Sequence, residues 1–132
     1  MKRFGLSAKE RIRSKNDFAL VYSKGRTIYS ESSKIKAVYL IDRNPVQCGV
    51  KTAYAVHRKS GNAVWRNRVK RLLRESYRLN KNKLFEICNT KKVLLLLVLS
   101  AANLNERTGR DISVKDVMPD VLFLMNKIKA GL

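Results

Sequence analysis

The densest group of side chains that could do chemistry in this sequence is a basic segment at residues 58–78. It reads RKSGNAVWRNRVKRLLRESYR, with a Gly-Asn pair, an Arg-Asn-Arg triplet and a single acid, Glu75. An arginine fork can hold two phosphate oxygens at once, whereas a lysine ammonium acts as a point charge. The chemistry that this segment predicts is therefore binding to a dense array of phosphates.

The side chains that usually carry hydrolysis are few and scattered. The sequence has one histidine, His57, and two cysteines, Cys48 and Cys88, which form no Cys-x-x-Cys pair. Its 10 acidic residues include no Asp-x-Asp cluster of the kind that holds a metal pair. A lone histidine cannot serve as both acid and base. We therefore expect no catalytic residue and no metal site in the polypeptide.

The charge balance also indicates a polyanionic partner. The chain has 29 Lys and Arg against 10 Asp and Glu, a formal net charge of +19. Self-repulsion on this scale opposes folding, and a nucleic acid would relieve it. Hydrophobic residues make up 45% of the 132 residues, which suits one domain with a real core. We predict a single RNA-binding domain at 1–132, with a flexible basic N-terminus at 1–13.

Localisation follows from what the sequence lacks. The N-terminus has no apolar stretch typical of a secretory signal, and sparse cysteine usage suits a reducing cytosol. The apolar run Val93–Leu99 is far shorter than the roughly 20 residues that span a bilayer. We predict a cytoplasmic protein with no membrane partner, in which this run is a buried strand.

The elements that must position the basic segment are predicted in the order α-β-β-β-α-β-α. Helices are expected at 15–24, from about 63 to 79 and at 113–129, and strands around 26–30 and at 34–42, 50–57 and 91–100. Ser14 with Asp17, and Ser113 with Asp116, resemble capping boxes at two of the helix starts.

The central helix is expected to have one apolar side and a basic remainder. The apolar side contains Trp65, Val69, Leu72, Leu73, Ser76 and Tyr77, and the basic remainder contains Arg66, Arg68, Lys70, Arg71, Arg74 and Arg78. Like charges four residues apart destabilise a helix, so this pattern favours nucleic-acid contact over an ordinary solvated face. Gly61 and Asn62, just before it, either form a plain turn or expose amides that help to bind a phosphate.

Aromatic residues upstream have two possible roles. Phe18 and Tyr22 lie one helical turn apart, and Tyr39 lies in a predicted strand. Spacing alone favours core packing, but aromatics in a basic groove can also stack on unpaired bases. Residue types alone equally support a ribosomal or other structural RNA-binding protein, and less strongly a self-contained nuclease.

The order of residues within the segment carries a family resemblance. Residues 56–78, VHRKSGNAVWRNRVKRLLRESYR, closely resemble the signature of the bacterial ribonuclease P protein subunit. That family shows a Lys-Lys pair, then Gly-Asn-Ala-Val, Arg-Asn-Arg, Lys-Arg and an Arg-Glu-x-aromatic-Arg ending. Asp17-Phe18, Tyr22 and Gly25 also resemble its upstream pattern, so the likeness spans roughly residues 7 to 100. Departures from the pattern fall at Ala53, His57, Lys92 and Ser100.

The resemblance implies a fold and an activity. The fold would be an α/β (α+β) two-layer sandwich with a four-stranded mixed sheet and a left-handed βαβ crossover, ribosomal protein S5 domain 2-like. The activity would be that of a ribonucleoprotein that removes the 5′ leader from precursor tRNA by magnesium-dependent hydrolysis. A catalytic RNA would supply the active site and hold most of the Mg²⁺, and the free protein would be a monomer.

The resemblance also implies two binding regions. The single-stranded leader would lie in a cleft between the first helix and the sheet, lined by Phe18, Tyr22 and Tyr39. The residues expected to bind the catalytic RNA are Arg58, Lys59, Gly61, Asn62, Arg66, Asn67, Arg68, Lys70, Arg71, Arg74 and Arg78.

Overall fold

A computed structural model describes residues 10–132, and it confirms the predicted order of helices and strands. In chain order the elements are α1 (Lys15–Lys24), β1 (Arg26–Tyr29), β2 (Ile35–Asp42), β3 (Gly49–Ala55), a short 3-10 helix (Arg58–Ser60), α2 (Ala63–Thr90), β4 (Leu94–Ala101) and α3 (Val114–Ala130). None of the helices within residues 10–132 is long and apolar enough to cross a membrane.

The largest difference from the sequence prediction is the length of α2. The helix was expected to end near residue 79 but continues for another three turns. Residues 80–90 contain neither glycine nor proline, so nothing in them breaks a helix. Leu84 and Cys88 extend the buried stripe along this added length.

The four strands form one mixed sheet in the order β1-β2-β4-β3. β2 is antiparallel to both β1 and β4, whereas β3 and β4 run parallel. Parallel neighbours need a crossover connection, and α2 provides it. The α+β class and the mixed four-stranded sheet are therefore confirmed, while the left-handed sense of the crossover stays a prediction.

Alternating side chains give the sheet two different apolar faces. On one face Ile35, Ala37 and Leu97 join a large core that α2 and α3 cover. On the other face Val38 and Val98 pack beneath α1 in a smaller cluster, which we call the α1 cluster. The sheet with α2 and α3 makes the two main layers, and α1 crosses the remaining face.

The start and end of α1 are both defined by local contacts. The Ser14 hydroxyl oxygen accepts the Asn16 N–H at 3.1 Å, which caps the first turn. At the other end, Gly25 donates its N–H to the Val21 carbonyl at 2.8 Å. A Cβ on Gly25 would lie only 2.8 Å from the Tyr39 carbonyl oxygen. Glycine therefore allows α1 to end directly against β2.

Two residues within the segment predicted to be flexible contact the edge of β3. Ile12 is 6% exposed and its N–H donates to the Thr52 carbonyl at 2.9 Å, while Arg11 forms a bridge with the same residue. The free edge of β3 offers these hydrogen bonds, and the α1 cluster buries the Ile12 side chain. These contacts hold residues 11 and 12 against the fold, while flexibility of 1–13 stays a prediction and its residues 1–9 lie outside the described part.

Candidate nucleic-acid interface

The basic segment begins where β3 ends and turns through the 3-10 helix into α2. His57 starts this turn, because its Nδ1 accepts the Lys59 N–H at 3.1 Å. The side chains of Arg58 and Lys59 are left exposed on the outside of the turn.

Asn62 caps α2 and is itself held by a distant carboxylate. Its Oδ1 accepts the Trp65 N–H at 2.8 Å. Its own N–H donates to Glu106 Oε1 at 2.9 Å, and its Nδ2 donates to Glu106 Oε2 at 3.1 Å. The Asn62 amide is thus already bonded within the protein. This arrangement is the plain turn, one of the two alternatives that the sequence allowed. Direct contact between Asn62 and RNA stays a prediction.

Gly61 is required by the same close packing. A Cβ at this position would lie 2.6 Å from Trp65 Cε3 and 2.9 Å from Glu106 Cβ. Contacts as short as these would force the loop and the indole apart. Gly61 therefore shapes the interface, and its direct contact with RNA stays a prediction.

Glu106 is a functional candidate that sequence reasoning missed. Besides its two bonds to Asn62, its N–H donates to the Ser60 carbonyl at 2.7 Å. Nearby, Trp65 Nε1 donates to the Gly109 carbonyl at 2.9 Å. Residues 102–113, which we call the brace loop, are thereby fastened to the start of α2. Glu106 stands 44 residues from Asn62 in sequence, so no local spacing pattern indicates the pair.

The exposed side of α2 carries the predicted cations, and its buried side carries the predicted apolar stripe. Of the residues predicted to bind the catalytic RNA, those exposed are Arg58, Lys59, Asn62, Asn67, Arg68, Arg71 and Arg74, and those partly buried are Gly61, Arg66, Lys70 and Arg78. Arg66 already makes one hydrogen bond within the protein, because its Nε donates to the Gly61 carbonyl at 3.1 Å. The two-sided character of this helix is confirmed.

Arg78 differs from the other arginines because it has an acidic neighbour. Its Nε donates to Glu75 Oε2 at 3.0 Å, and the two side chains form an ion pair one turn apart. This hydrogen bond lowers the pKa of the Glu75 carboxyl, so the carboxylate stays charged at neutral pH. Its charge offsets part of the positive field near Arg78. Arg68, Arg71 and Arg74 are exposed along the same helix.

Phe18 and Tyr22 lie on α1 with different exposures. Phe18 is partly buried and packs against the α1 cluster. Tyr22, one turn further along, is 53% exposed. Tyr22 is thus free to contact a ligand on this side of the sheet, while Phe18 also supports the fold.

Tyr39 does not lie on the same side of the sheet as these two residues. It packs against the large core that α2 and α3 cover, together with Ile35 and Ala37. Its neighbours Val38 and Leu40 are the β2 residues that face α1. The placement of Tyr39 in the cleft with Phe18 is therefore wrong, because side chains alternate along a strand.

Tyr29, and not Tyr39, lies on the side of the sheet that faces α1. The next residue inward, Ile28, packs against the large core, so Tyr29 faces the opposite way. Tyr29 is 50% exposed and pairs with Lys36 on β2. Lys36 in turn pairs with Ser100, and Ser100 with Ala55. These four residues form a row across the sheet, which we call the open row, ending beside the basic turn.

The described residues provide no evident place for a protein-held metal ion. Within residues 10–132, no three His, Cys, Asp or Glu side chains group closely enough to hold one. This part of the chain therefore does not fit a magnesium site of its own, and we assign it no metal-dependent step.

Comparison with known proteins decides the family. Residues 6–114 match the sequence model of ribonuclease P. The chain belongs to the ribonuclease P family. Among curated relatives of the family, the ribonuclease P protein component of Alkaliphilus metalliredigens is 30% identical over 124 residues, covering 94% of this chain and 97% of that protein. The protein component of Clostridium novyi is 34% identical over 123 residues, covering 93% and 95%.

Solved structures of ribonuclease P proteins have the same fold. The Staphylococcus aureus protein superposes with a TM-score of 0.68 at 20% identity, covering 91% of this chain and 95% of that one. The Thermotoga maritima protein superposes with a TM-score of 0.68 at 21% identity, covering 89% and 96%. The α+β fold with a four-stranded mixed sheet that the family resemblance implied is thus confirmed, and it is consistent with the ribosomal protein S5 domain 2-like class.

Proposed function

We propose that this chain is the protein subunit of a ribonucleoprotein that removes the 5′ leader from precursor tRNA by magnesium-dependent phosphodiester hydrolysis. Membership of the ribonuclease P family assigns the chain to 5′ tRNA processing as one component of that enzyme, with an RNA as the catalyst. The main support for RNA binding by the protein is the exposed row Arg68, Arg71 and Arg74 on α2. It is a surface suited to holding phosphates.

The catalytic RNA is proposed to bind along the basic turn and the first turns of α2. Arg58 and Lys59 project from the turn, and Arg68, Arg71 and Arg74 continue the positive surface along the helix. Buried side chains beneath them, such as Trp65, fix the helix to the core. The spacing of the cations is therefore set before RNA arrives, which reduces the entropy lost on binding.

The single-stranded leader is proposed to lie between α1 and the open row. Phe18, Tyr22 and Tyr29 present aromatic rings to this side, and Lys36 adds a cation between them and the basic turn. Aromatic rings stack on any base, and a lysine holds a phosphate without reading sequence. The cleft would therefore bind leaders of many sequences.

Magnesium is proposed to be held mainly by the RNA. The protein's contribution would be electrostatic, because a chain of formal charge +19 reduces the repulsion between catalytic RNA and precursor. Closer alignment of the two RNAs would then strengthen their shared metal sites. A monomeric, cytoplasmic protein would suit this role.

Reconstitution with a bacterial catalytic RNA at low magnesium tests the proposal. Adding the protein should stimulate 5′ maturation of precursor tRNA, and the protein alone should cleave nothing. Arg68→Gln should weaken binding to the catalytic RNA and reduce the slope of log K against log salt by about 0.9, the value for one phosphate contact. Lys115→Gln, an exposed cation in the first turn of α3, is the matched control and should change neither.

Two results would contradict the proposal. An unchanged salt slope for Arg68→Gln would remove the arginine row from the RNA contact. Cleavage of precursor by the purified protein without RNA would place the catalyst in the polypeptide.

A further inference from the structure

Three cations from separate elements line one depression at the end of the sheet opposite the basic turn. Lys24 ends α1, Arg26 begins β1 and Arg43 follows β2. The depression has a volume of about 290 Å³ and is completed by Tyr39, Leu40, Ile41 and Gly131. We call it the three-cation pocket. The pocket lies beside the start of β4. α2 follows the end of β3, and that end pairs with the opposite end of β4.

The charges in this pocket are not neutralised within the described protein. No acidic side chain among residues 10–132 lines the depression. The ion pairs found in this part of the chain lie elsewhere and join Arg78 to Glu75 and Lys81 to Glu10. Asp42, the nearest acid in sequence, uses its Oδ1 to accept the Asn44 N–H at 3.0 Å in the following turn.

Local structure explains only one of the three cations. Lys24 lies in the last turn of α1, where a positive charge is favoured by the helix dipole. Neither Arg26 nor Arg43 belongs to a helix. Their convergence on a pocket with Lys24 is therefore a repulsive arrangement unless an anion occupies it.

The backbone holds two of these cations in a fixed relation. Gly25, between Lys24 and Arg26, packs so closely on β2 that a Cβ would lie 2.3 Å from the Val21 carbonyl oxygen and 2.8 Å from that of Tyr39. Arg26 is the ladder partner of Tyr39 in the β1–β2 pair. The pocket is thus formed before any ligand binds.

The pocket lies at the rim of the sheet, where Tyr39 lines it from the side that α2 and α3 cover and Lys24 connects it to the end of α1. Leu40 lines the pocket and also packs against the α1 cluster, where Phe18 lies. From Phe18 to Lys24, α1 rises by about 9 Å. Tyr22 stands between them and is exposed. A strand that follows α1 away from Phe18 would pass Tyr22 and reach the pocket.

We propose that the three-cation pocket binds phosphates of the 5′ leader upstream of the nucleotides held by Phe18 and Tyr22. This inference rests on the proposed role of the α1 side in leader binding and extends it to longer leaders. Arginine forks and a lysine recognise the RNA backbone, so the contact depends on leader length and not on leader sequence.

A ladder of precursors, each with a leader one nucleotide longer than the last, tests the proposal in the reconstituted holoenzyme. The variant carries Arg26→Gln and Arg43→Gln, and the control carries Lys83→Gln and Lys115→Gln, which remove the same charge from exposed positions on α2 and α3. The variant should bind short-leader precursors and mature tRNA like wild type. Beyond one leader length its affinity should stop rising, and its salt slope should be lower by about 1.4, or 0.7 per single-strand phosphate contact.

The other outcomes overturn the inference. Wild-type affinity at every length would show that the pocket binds no leader phosphate. An equal loss for all precursors and for mature tRNA would assign the pocket to the catalytic RNA. If a leader does not raise the affinity of the wild-type holoenzyme, the proposed leader cleft is wrong. That result is distinguishable from a loss of affinity seen only in the variant. Thermal unfolding checks that the double variant is folded; if it is not, Arg43→Gln alone, in a turn outside the strands, gives the same comparison.

Discussion

Tyr29 and Tyr39 lie in neighbouring strands but face opposite sides of the sheet. Tyr29 pairs with Lys36 on the side that α1 crosses, and Tyr39 packs against the core beneath α2 and α3. Both are tyrosines near a basic surface, so composition cannot separate them. Their position in the alternation of each strand decides which ring can meet a single-stranded RNA.

Replacing the two tyrosines should therefore have different effects. Tyr29→Ala should weaken binding of leader-bearing precursor by about 1–3 kcal/mol, the cost of one lost base stack, and leave mature tRNA unaffected. Tyr29→Phe should retain the stacking. Tyr39→Ala should instead lower the free energy of unfolding by about 1–3 kcal/mol, because it removes a partly buried ring.

Affinity measurements and urea unfolding on the same three variants separate these effects. A leader-specific loss for Tyr39→Ala with unchanged stability, on leaders too short to reach the three-cation pocket that Tyr39 also lines, would return Tyr39 to the cleft. A loss for Tyr29→Ala that is equal with and without a leader would remove Tyr29 from it.

At the scale of elements, the start of α2 depends on a loop that follows β4. Glu106 accepts both the N–H and the side-chain amide of Asn62, and its own N–H bonds to Ser60. A carboxylate beside the first turn of a helix is also favoured by the dipole. The brace loop thus fixes the direction in which α2 presents its arginines.

Removing the Glu106 side chain tests this bracing. Glu106→Ala loses two hydrogen bonds to Asn62 and should destabilise the protein by about 1–3 kcal/mol. Catalytic-RNA affinity should fall while the salt slope stays constant, because no phosphate contact is removed. Glu106→Gln keeps one acceptor for the Asn62 N–H and should recover much of the affinity. Tighter RNA binding by Glu106→Ala would mean that the carboxylate acts mainly by repelling phosphates.

The elements differ in how well the sequence alone predicts them. The apolar stripe of α2 and the strand predicted at 91–100 follow from periodicity and composition, and both are confirmed; α2 begins at the predicted residue and β4 begins three residues later than predicted. The contacts of Ile12 and Glu106 are made with Thr52 and Asn62, which are distant in sequence, so local patterns do not reveal them. The end of α2 and the facing of Tyr39 were open to local reasoning, because residues 80–90 contain no helix breaker and side chains alternate along a strand.

At the scale of the whole molecule, RNA should act as a folding partner. The formal net charge is +19, a value that already counts every acidic residue. Mutual repulsion among the cations lowers the stability of the free protein. Phosphates that bind only the folded chain reverse this effect by mass action. RNA binding and global unfolding are therefore linked in this protein.

Cys88 is a probe for that linkage. It is fully buried in the large core, and burial raises the pKa of its thiol to about 11. At pH 8 the folded protein therefore holds Cys88 protonated and out of reach of a labelling reagent. An unfolded thiol ionises near its ordinary pKa of about 8.5. This group's contribution to stability is complete below that pKa and is lost as the pH rises towards about 11.

Catalytic RNA should slow the labelling of Cys88 by about the factor by which RNA binding raises the folding equilibrium constant. At a free RNA concentration near 100 times Kd, binding adds about 2.7 kcal/mol, so labelling that requires unfolding should slow about 100-fold. Cys48→Ser removes the more accessible thiol, so that one site is observed. Raised salt should shrink the protection, because it weakens the phosphate contacts. A labelling rate that RNA leaves unchanged would show that Cys88 is reached by local opening of α2, and the core would then be uncoupled from the RNA surface that it supports.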